Sequence, residues 1–170
     1  KTNIIGHQNV IECINLYDKL ETLIFVSTDK ACKPINVYGM CKAISEQLYI
    51  SFAKQQDKTK VVTVRYGNVL ESTGSVIPFF KELLESGATE LPITHKDMTR
   101  FVMTLGIRPG EKLHEEMVSS EEWRKTEELE NFFLIGNDTI NDEQHSYNSL
   151  DYLMNSFDAY QFLKESGVIN

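Results

Sequence analysis

Two short apolar runs constrain the fold of this 170-residue chain more than any other feature. They are TLIFVS at residues 22–27 and VVTVRY at 61–66, and both are rich in β-branched and aromatic residues. Continuous runs of this kind are typical of strands buried on both faces of a parallel sheet. Between them, residues 38–54 carry apolar side chains at helical spacing, which predicts the helix that joins two parallel strands. The sequence therefore predicts an α/β fold.

The flanking segments continue the alternation of helices and strands. Residues 3–20 have the spacing of an amphipathic helix, and NFFLIG at 131–136 is typical of a late strand. The other predicted elements are a helix over 77–86, an extended segment over 91–94, a helix over the charge-rich residues 111–130, and a final amphipathic helix with Leu153, Phe157, Tyr160 and Leu163.

Composition excludes several classes of protein. A net charge of −8 without a basic patch argues against nucleic acid as the main partner. No apolar run approaches the roughly 20 residues of a membrane helix, and the first residues do not resemble a signal peptide. The three cysteines lack the spacing of metal ligands, so we expect a cytosolic protein with inert thiols, without a metal or a membrane anchor.

Ionisable and polar residues follow both predicted strands where each one ends. Thr28, Asp29 and Lys30 come directly after the first strand, and Asn68 follows the second. The carboxyl ends of parallel strands meet at one edge of a sheet, where α/β proteins bind their ligands. We therefore expect these side chains to share a site.

Tyr38 and Lys42 lie four residues apart at the start of the predicted helix, so both side chains share one face. A tyrosine hydroxyl, with a pKa of about 10, is a poor base at neutral pH, but a neighbouring ammonium favours the phenolate. Such a pair can take a proton from a substrate hydroxyl while a hydride leaves the same carbon. Asp29 and Lys30 offer a second acid and base, provided that desolvation favours their neutral forms.

Each pair has an ordinary interpretation as well. Tyr-x-x-x-Lys is a common spacing, and an Asp-Lys dipeptide is usually a solvated turn. The combination is more specific, because the Asp-Lys pair follows a buried strand and precedes the tyrosine by only eight residues.

Six motifs in fixed order carry a resemblance to a known family: VSTDKACKPINVYGMCK, VRYGNV, GSVIPFF, ELPIT, MTRF and GIRPGEKLHEEM. They resemble the extended short-chain dehydrogenase/reductase superfamily and, within it, the C5-inverting UDP-N-acetylglucosamine 4,6-dehydratases of polysaccharide biosynthesis. The resemblance implies a Rossmann-like doubly wound parallel sheet, with residues 1–70 as the second half of a dinucleotide-binding domain. Residues 71–170 would form a smaller substrate-binding α/β region.

The resemblance also implies roles for particular residues. Tyr38 and Lys42 match the pair that acts on the sugar 4-hydroxyl and holds the nicotinamide ribose, and Asp29 and Lys30 match the acid and base of the elimination. Positions that match cofactor-lining residues are Thr28, Val69, Leu70, Glu71, Ser72 and Thr73. Positions that match residues holding the UDP-sugar are Asn68, Glu90, Thr94, Arg108 and Glu111.

The implied reaction uses bound NADP, or NAD, and has no net redox change. Hydride leaves carbon 4, the carbon 5 proton and the 6-hydroxyl are lost as water, and hydride returns to carbon 6. Carbon 5 is then reprotonated with inverted configuration. A UDP-sugar is the implied partner, and a homo-oligomer is expected.

The sequence departs from the family pattern at several positions. The Gly-rich phosphate loop of the family is expected before the position of Lys1, and a helix and strand expected after Leu105 are absent. Glu71 and Thr73 replace smaller or more basic residues, and His95 replaces a frequent acid. We therefore expect either part of a longer chain or a shortened relative.

Two alternatives to a working dehydratase remain. One is a non-catalytic remnant that binds a nucleotide sugar, and the other is a UDP-sugar 4-epimerase. An epimerase needs Tyr38 and Lys42 but not the Asp29–Lys30 pair, so the presence of that pair argues against an epimerase. Burying charged groups costs free energy, so the presence of both pairs argues against a remnant that performs no chemistry.

Overall fold

The computed structural model describes residues 1–17, 19–93, 103–104, 109–136, 140–142 and 145–168. The chain forms two compact units, one of residues 1–67 with 114–148 and one of residues 68–113 with 149–170. The predicted division at residue 70 lies close to the first of these boundaries, but the first unit also takes in 114–148. The dinucleotide-binding and substrate-binding roles of the two regions stay predictions.

The first unit is built on two parallel strands. Strand β1 (Thr22–Val26) pairs with β2 (Lys60–Val64), and helix α2 (Val37–Gln55) connects them. In the register of the pair, Ile24 lies opposite Val62. The predicted strand–helix–strand unit is thus confirmed within about two residues at each boundary. The predicted burial of the strands on both faces is wrong for this structure, because Ile24 and Val26 are more than half exposed.

The core of this unit lies on the face of β1 that carries Phe25. Helix α1 (Ile5–Asn15), which is shorter than the predicted 3–20, packs against α2. The Phe25 ring stacks on Tyr49 of α2 with 4.7 Å between centroids, and both rings are almost fully buried. Burial of two aromatic rings is a large part of what holds α2 against the sheet.

The predicted helix over residues 111–130 is wrong. The chain there forms β5 (Glu116–Val118), the four-residue helix α4 (Ser120–Trp123) and β6 (Thr126–Glu128). Abundant Glu and Lys favour a helix only weakly, and tertiary pairing overrides that preference. Strand β6 pairs antiparallel with β7, and β5 pairs with β8, a two-residue strand that the sequence did not predict. The partners are β7 (Phe133–Ile135), which confirms the predicted late strand, and β8 (Tyr147–Asn148).

Arg65, the residue after β2, joins three segments of the first unit. Its guanidinium donates to both carboxylate oxygens of Glu46 on α2, at 2.6 and 2.8 Å. It also donates to both oxygens of Glu122 on α4, at 2.8 and 2.9 Å, and to the Met117 carbonyl at 3.0 Å. Burial disfavours the charge of Arg65, but the two carboxylates outweigh this and raise its pKa. The same guanidinium helps to lower the pKa of Glu122 against the opposing effect of burial.

The second unit contains two longer helices and a short parallel pair of strands. Strands β3 (Pro92–Ile93) and β4 (Met103–Thr104) pair in parallel. The helices are α3 (Val76–Glu85) and α5 (Ser156–Glu165), which confirm the predicted helices at these places. Among the residues that the structure describes, no helix is long and apolar enough to cross a membrane.

Replacing Arg65 by Met is expected to lower the free energy of unfolding by roughly 3–5 kcal/mol, because Glu46 would keep its buried charge without a partner. Lys33→Met is the matched control, since Lys33 forms an exposed ion pair with Glu116 at 2.9 Å, and such pairs contribute at most about 1 kcal/mol. Urea denaturation of both variants measures the difference. Equal stability of the two variants would contradict a structural role for the Arg65 cluster.

Candidate functional site

Asp29 is positioned by the hydrogen-bond ladder between β1 and β2, which continues past the ends of both strands. The Ser27 amide donates to the Val64 carbonyl at 2.7 Å, and the Asp29 amide donates to the Tyr66 carbonyl at 3.1 Å. A single 3₁₀ turn, Asp29–Ala31, then takes the chain away from the sheet. Asp29 and Lys30 therefore lie at the carboxyl edge of the parallel pair.

The two oxygens of the Asp29 carboxylate have different surroundings. Oδ1 accepts hydrogen bonds from the Thr28 hydroxyl at 2.7 Å and from Lys30 Nζ at 3.1 Å. Oδ2 is buried and has no hydrogen-bond partner within the described ranges. The whole residue is only 1% exposed, so one oxygen is held by two donors while the other is left for a proton or a ligand.

Lys30 lies between two carboxylates. Its ammonium contacts Asp29 and also approaches Glu115 Oε1 at 3.7 Å. Burial lowers the pKa of Lys30, as the sequence led us to expect. The hydrogen bond and charge of Asp29 outweigh burial, with contributions from Glu115 and Tyr38, so the pKa is raised overall. Lys30 and Asp29 therefore form an ion pair in this structure. The expectation that desolvation favours the neutral form of Lys30 is wrong here.

Tyr38 and Lys42 lie on the first two turns of α2. The Asn36 side chain caps this helix by accepting a hydrogen bond from the Gly39 amide at 2.8 Å. Tyr38 is 46% exposed. Lys42 Nζ donates to the carbonyl of Val26, the last residue of β1, at 3.3 Å. The helix thus holds this pair at the same carboxyl edge as Asp29 and Lys30.

Gly39 sets how closely α2 approaches the Asp29–Lys30 turn. A Cβ atom built on Gly39 would lie 2.2 Å from the Lys30 carbonyl oxygen and 3.1 Å from Pro34 Cβ. Only a residue without a side chain fits at this contact. Gly39 is therefore part of how the site is assembled, although the sequence analysis assigned no role to it.

The other predicted site residues belong to the second unit or fall outside the described residues. Asn68, Val69, Leu70, Glu71, Ser72, Thr73 and Glu90 are exposed, and Glu111 is partly buried. Glu71 has a left-handed backbone, with φ of 55°, and its carboxylate pairs with Lys81 of α3. Thr94, His95 and Arg108 lie outside the described residues. The structure therefore brings together Thr28, Asp29, Lys30, Tyr38 and Lys42.

Two glutamates near the site were not predicted. Glu115 contacts Lys30, and the next residue, Glu116, pairs with Lys33. Both belong to the motif GIRPGEKLHEEM. The only indication in the sequence was that these two acidic residues of the motif had no assigned role. Sequence spacing could not reveal these contacts, because more than 80 residues separate the partners.

The polar groups that the structure describes at this edge of the sheet suit a nicotinamide cofactor. Two buried oxygens, Ser27 Oγ and Asp29 Oδ2, have no hydrogen-bond partner in the described part of the chain. Beside them, Tyr38 offers an exposed hydroxyl and Lys42 a cation. A ribose or a carboxamide has the donors and acceptors to bind such groups. Across the same described residues, His, Cys, Asp and Glu side chains form no cluster of three that could hold a metal.

Comparison with known families agrees with this arrangement. The sequence model of the polysaccharide biosynthesis protein family matches residues 1–106 and 104–137. The chain belongs to this family. The resemblance stated from the motifs is thereby confirmed. The two matched segments overlap at residues 104–106, the place where the family pattern has a further helix and strand after Leu105.

Three curated relatives have different names. A UDP-N-acetylglucosamine 4,6-dehydratase (inverting) of Campylobacter jejuni is 37% identical over 79% of this chain and 54% of its own length. An uncharacterised membrane protein of Methanocaldococcus jannaschii is 33% identical over 97% of this chain and 68% of its own. A UDP-glucose 4-epimerase of Rickettsia bellii is 34% identical over 79% and 54%. The chain spans about half the length of the dehydratase and epimerase relatives.

A solved structure has the same fold. The X-ray structure of Pen from Bacillus thuringiensis superposes with a TM-score of 0.83 and 22% identity, over 99% of this chain and 69% of that one. At this identity the likeness establishes the fold alone. The predicted Rossmann-like α/β fold is confirmed.

Replacing Gly39 by Ala is expected to destabilise the protein by roughly 1–3 kcal/mol, because the added methyl group must push Lys30 and α2 apart. Gly6→Ala in α1 is the control, since a Cβ there meets nothing within 4 Å and should stabilise the helix by roughly 0.5–1 kcal/mol. Urea denaturation measures both changes. A Gly39→Ala protein as stable as Gly6→Ala would contradict the close contact.

Proposed function

We propose that the protein is a nucleotide-sugar 4,6-dehydratase that acts on UDP-N-acetylglucosamine and inverts carbon 5. The observation that carries this proposal is the hydrogen-bonded Asp29–Lys30 pair at the edge of the sheet that also carries Tyr38 and Lys42. Proton abstraction and loss of hydroxide need an acid and a base beside each other. The name of the Campylobacter relative supports the same reaction.

Tyr38 is proposed as the base for the sugar 4-hydroxyl. Its exposed hydroxyl can reach a substrate, and the cation of Lys42 on the next turn favours the phenolate. When bound, a nicotinamide cofactor, proposed to be NADP with NAD possible, supplies the hydride acceptor and donor. Tyr38, Lys42 and Thr28 are proposed to contact it, and residues 69–73 match the family positions that line the cofactor.

Asp29 and Lys30 are proposed as the acid and base of the elimination. Both must be neutral for this step, and moving one proton from Lys30 Nζ to Asp29 along their 3.1 Å hydrogen bond produces both neutral forms together. Exclusion of water by a bound substrate favours that neutral pair over the ion pair. Lys30 then takes the carbon 5 proton, and Asp29 gives its proton to the departing 6-hydroxyl, so one water leaves.

The remaining assignments complete the proposal. Arg108 would bind the diphosphate, since a guanidinium grips phosphate oxygens in pairs, and Asn68, Glu90, Thr94 and Glu111 would contact the UDP-sugar. We propose a cytosolic homo-oligomer, while noting the relative that is named a membrane protein.

A UDP-sugar 4-epimerase is the second candidate, because one relative has that name. Epimerisation needs the Tyr38–Lys42 pair and no acid–base pair for elimination. The buried Asp29 carboxylate, held by Thr28 and Lys30, favours the dehydratase.

Single substitutions distinguish the two activities. Lys30→Met and Asp29→Asn are expected to abolish loss of water from UDP-N-acetylglucosamine while hydride transfer from carbon 4 to the nicotinamide continues, because the Tyr38 chemistry is intact. Tyr38→Phe should abolish both. Mass spectrometry of the sugar measures loss of water, and the near-ultraviolet absorbance of the reduced nicotinamide measures hydride transfer.

Two variants control for general damage. Lys33→Met and Tyr17→Phe change an exposed lysine and an exposed tyrosine of the same unit and should retain both activities. If Lys30→Met retained water loss, the elimination assignment would be wrong. Epimerised product without water loss in the unsubstituted protein would establish the second candidate instead.

A further inference from the structure

His7 contacts the aromatic cluster on which Lys42 lies. Its ring nitrogen Nδ1 is 3.0 Å from the Tyr49 hydroxyl, and its ring packs edge-on against Phe25 with 4.8 Å between centroids. On the same Phe25 ring, Lys42 Nζ lies 5.1 Å from the centroid. His7 and the lysine of the site are thus joined through one buried phenyl ring.

We propose that His7 is a positioning residue for Lys42, whose neutral ring keeps Phe25 and the lysine ammonium in place and whose protonation displaces that ammonium. A neutral imidazole can hydrogen-bond to Tyr49 and pack against Phe25 at no electrostatic cost. An imidazolium adds a second cation beside Lys42 and loses hydration at the same time. The consequence for catalysis rests on the function proposed above, whereas the contact between the two groups does not.

The surroundings of His7 disfavour its protonated form. From α2 it faces Lys42 and Tyr49, and all residues of the adjacent strand β1 are uncharged. The residues three and four positions away along the chain are also uncharged: Asn3, Ile4, Val10 and Ile11. Burial lowers the pKa of His7, and the Lys42 charge lowers it further. His7 is therefore neutral at pH 7 and takes up a proton only in more acidic solution.

Tyr49 maintains the arrangement from the other side. Burial raises the pKa of the Tyr49 hydroxyl, so it stays protonated and available for the hydrogen bond with His7. Its ring also stacks on Phe25, so the three rings support one another. A change at His7 reaches Lys42 through contacts that are already packed, without movement of the sheet.

The first test measures the charge coupling without any assay of activity. Titration of histidine side-chain resonances by NMR gives the pKa of His7, and the resonance is assigned by its absence in His7→Asn. Lys42→Met is expected to raise this pKa, because a cation is removed. Lys42→Arg, which keeps the cation, and Lys33→Met, which removes an exposed lysine elsewhere, should leave it unchanged. An unchanged pKa in Lys42→Met would overturn the proposal.

The second test measures the effect on chemistry. The rate of hydride transfer from carbon 4 to the nicotinamide should fall as the pH drops through the His7 titration, by about tenfold per pH unit for a single protonation. His7→Asn can keep a hydrogen bond to Tyr49, but it has no ring against Phe25 and does not titrate. Its rate should therefore be lower near neutral pH and should lack the acidic limb, the part of the fall that follows the NMR titration of His7. His7→Phe, which keeps only the ring, should also lack the limb.

The outcomes separate the two proposals. If His7→Asn retained the acidic limb of the unsubstituted protein, the role of His7 in catalysis would be overturned. If the unsubstituted protein transferred no hydride at any pH, the proposed function would fail, and the NMR titration would still decide whether His7 and Lys42 are coupled.

Discussion

The guanidinium of Arg65 determines how the two sequence-distant parts of the first unit come together. It carries one positive charge and meets two carboxylates and a carbonyl from three different segments. Glu46 is 3% exposed, and a carboxylate at that depth is tolerated only when a cation neutralises it. Because Glu122 caps α4 at Ser119 and also binds Arg65, the segment from residue 114 onward is held against β2 and α2. That attachment brings Glu115 to Lys30.

The site therefore depends on contacts made outside it. The ladder between β1 and β2 fixes the backbone of Asp29, and the bare Cα of Gly39 lets α2 approach the following turn. The two lysines then have different surroundings: Lys30 lies between carboxylates, while Lys42 lies on a carbonyl and a phenyl ring. In the proposed reaction, Lys30 exchanges a proton with its partner, and Lys42 serves as a positive charge beside Tyr38. This division of roles follows from the fold and not from the lysine side chain itself.

Prediction from sequence succeeded where the local pattern and the tertiary structure agree. TLIFVS and VVTVRY are mostly apolar and rich in β-branched residues, which favours strands although only Phe25 of β1 is buried, and the spacing from Tyr38 to Lys42 follows from helical geometry. It failed over residues 111–130, where charged residues of good helix propensity form short strands. There the decisive interactions are Arg65 with Glu122, Thr126 with the Glu122 carbonyl, and β6 with β7, none of which can be read from spacing. The absence of a helix and a strand between Leu105 and Gly106 could be recognised only by comparison with the family pattern.

The sequence by itself determined the parallel strand–helix–strand unit, the acidic and basic residues at its carboxyl edge, and the family to which the chain belongs. These follow from periodicity, strand ends and motif order, all of which are local properties. Only the tertiary structure decided that Asp29 and Lys30 form an ion pair, that Glu115 joins them, and that His7 lies against the ring beneath Lys42. The physical reason is that protonation and position of a charged side chain depend on burial and on partners far away in the chain, which the local sequence does not specify.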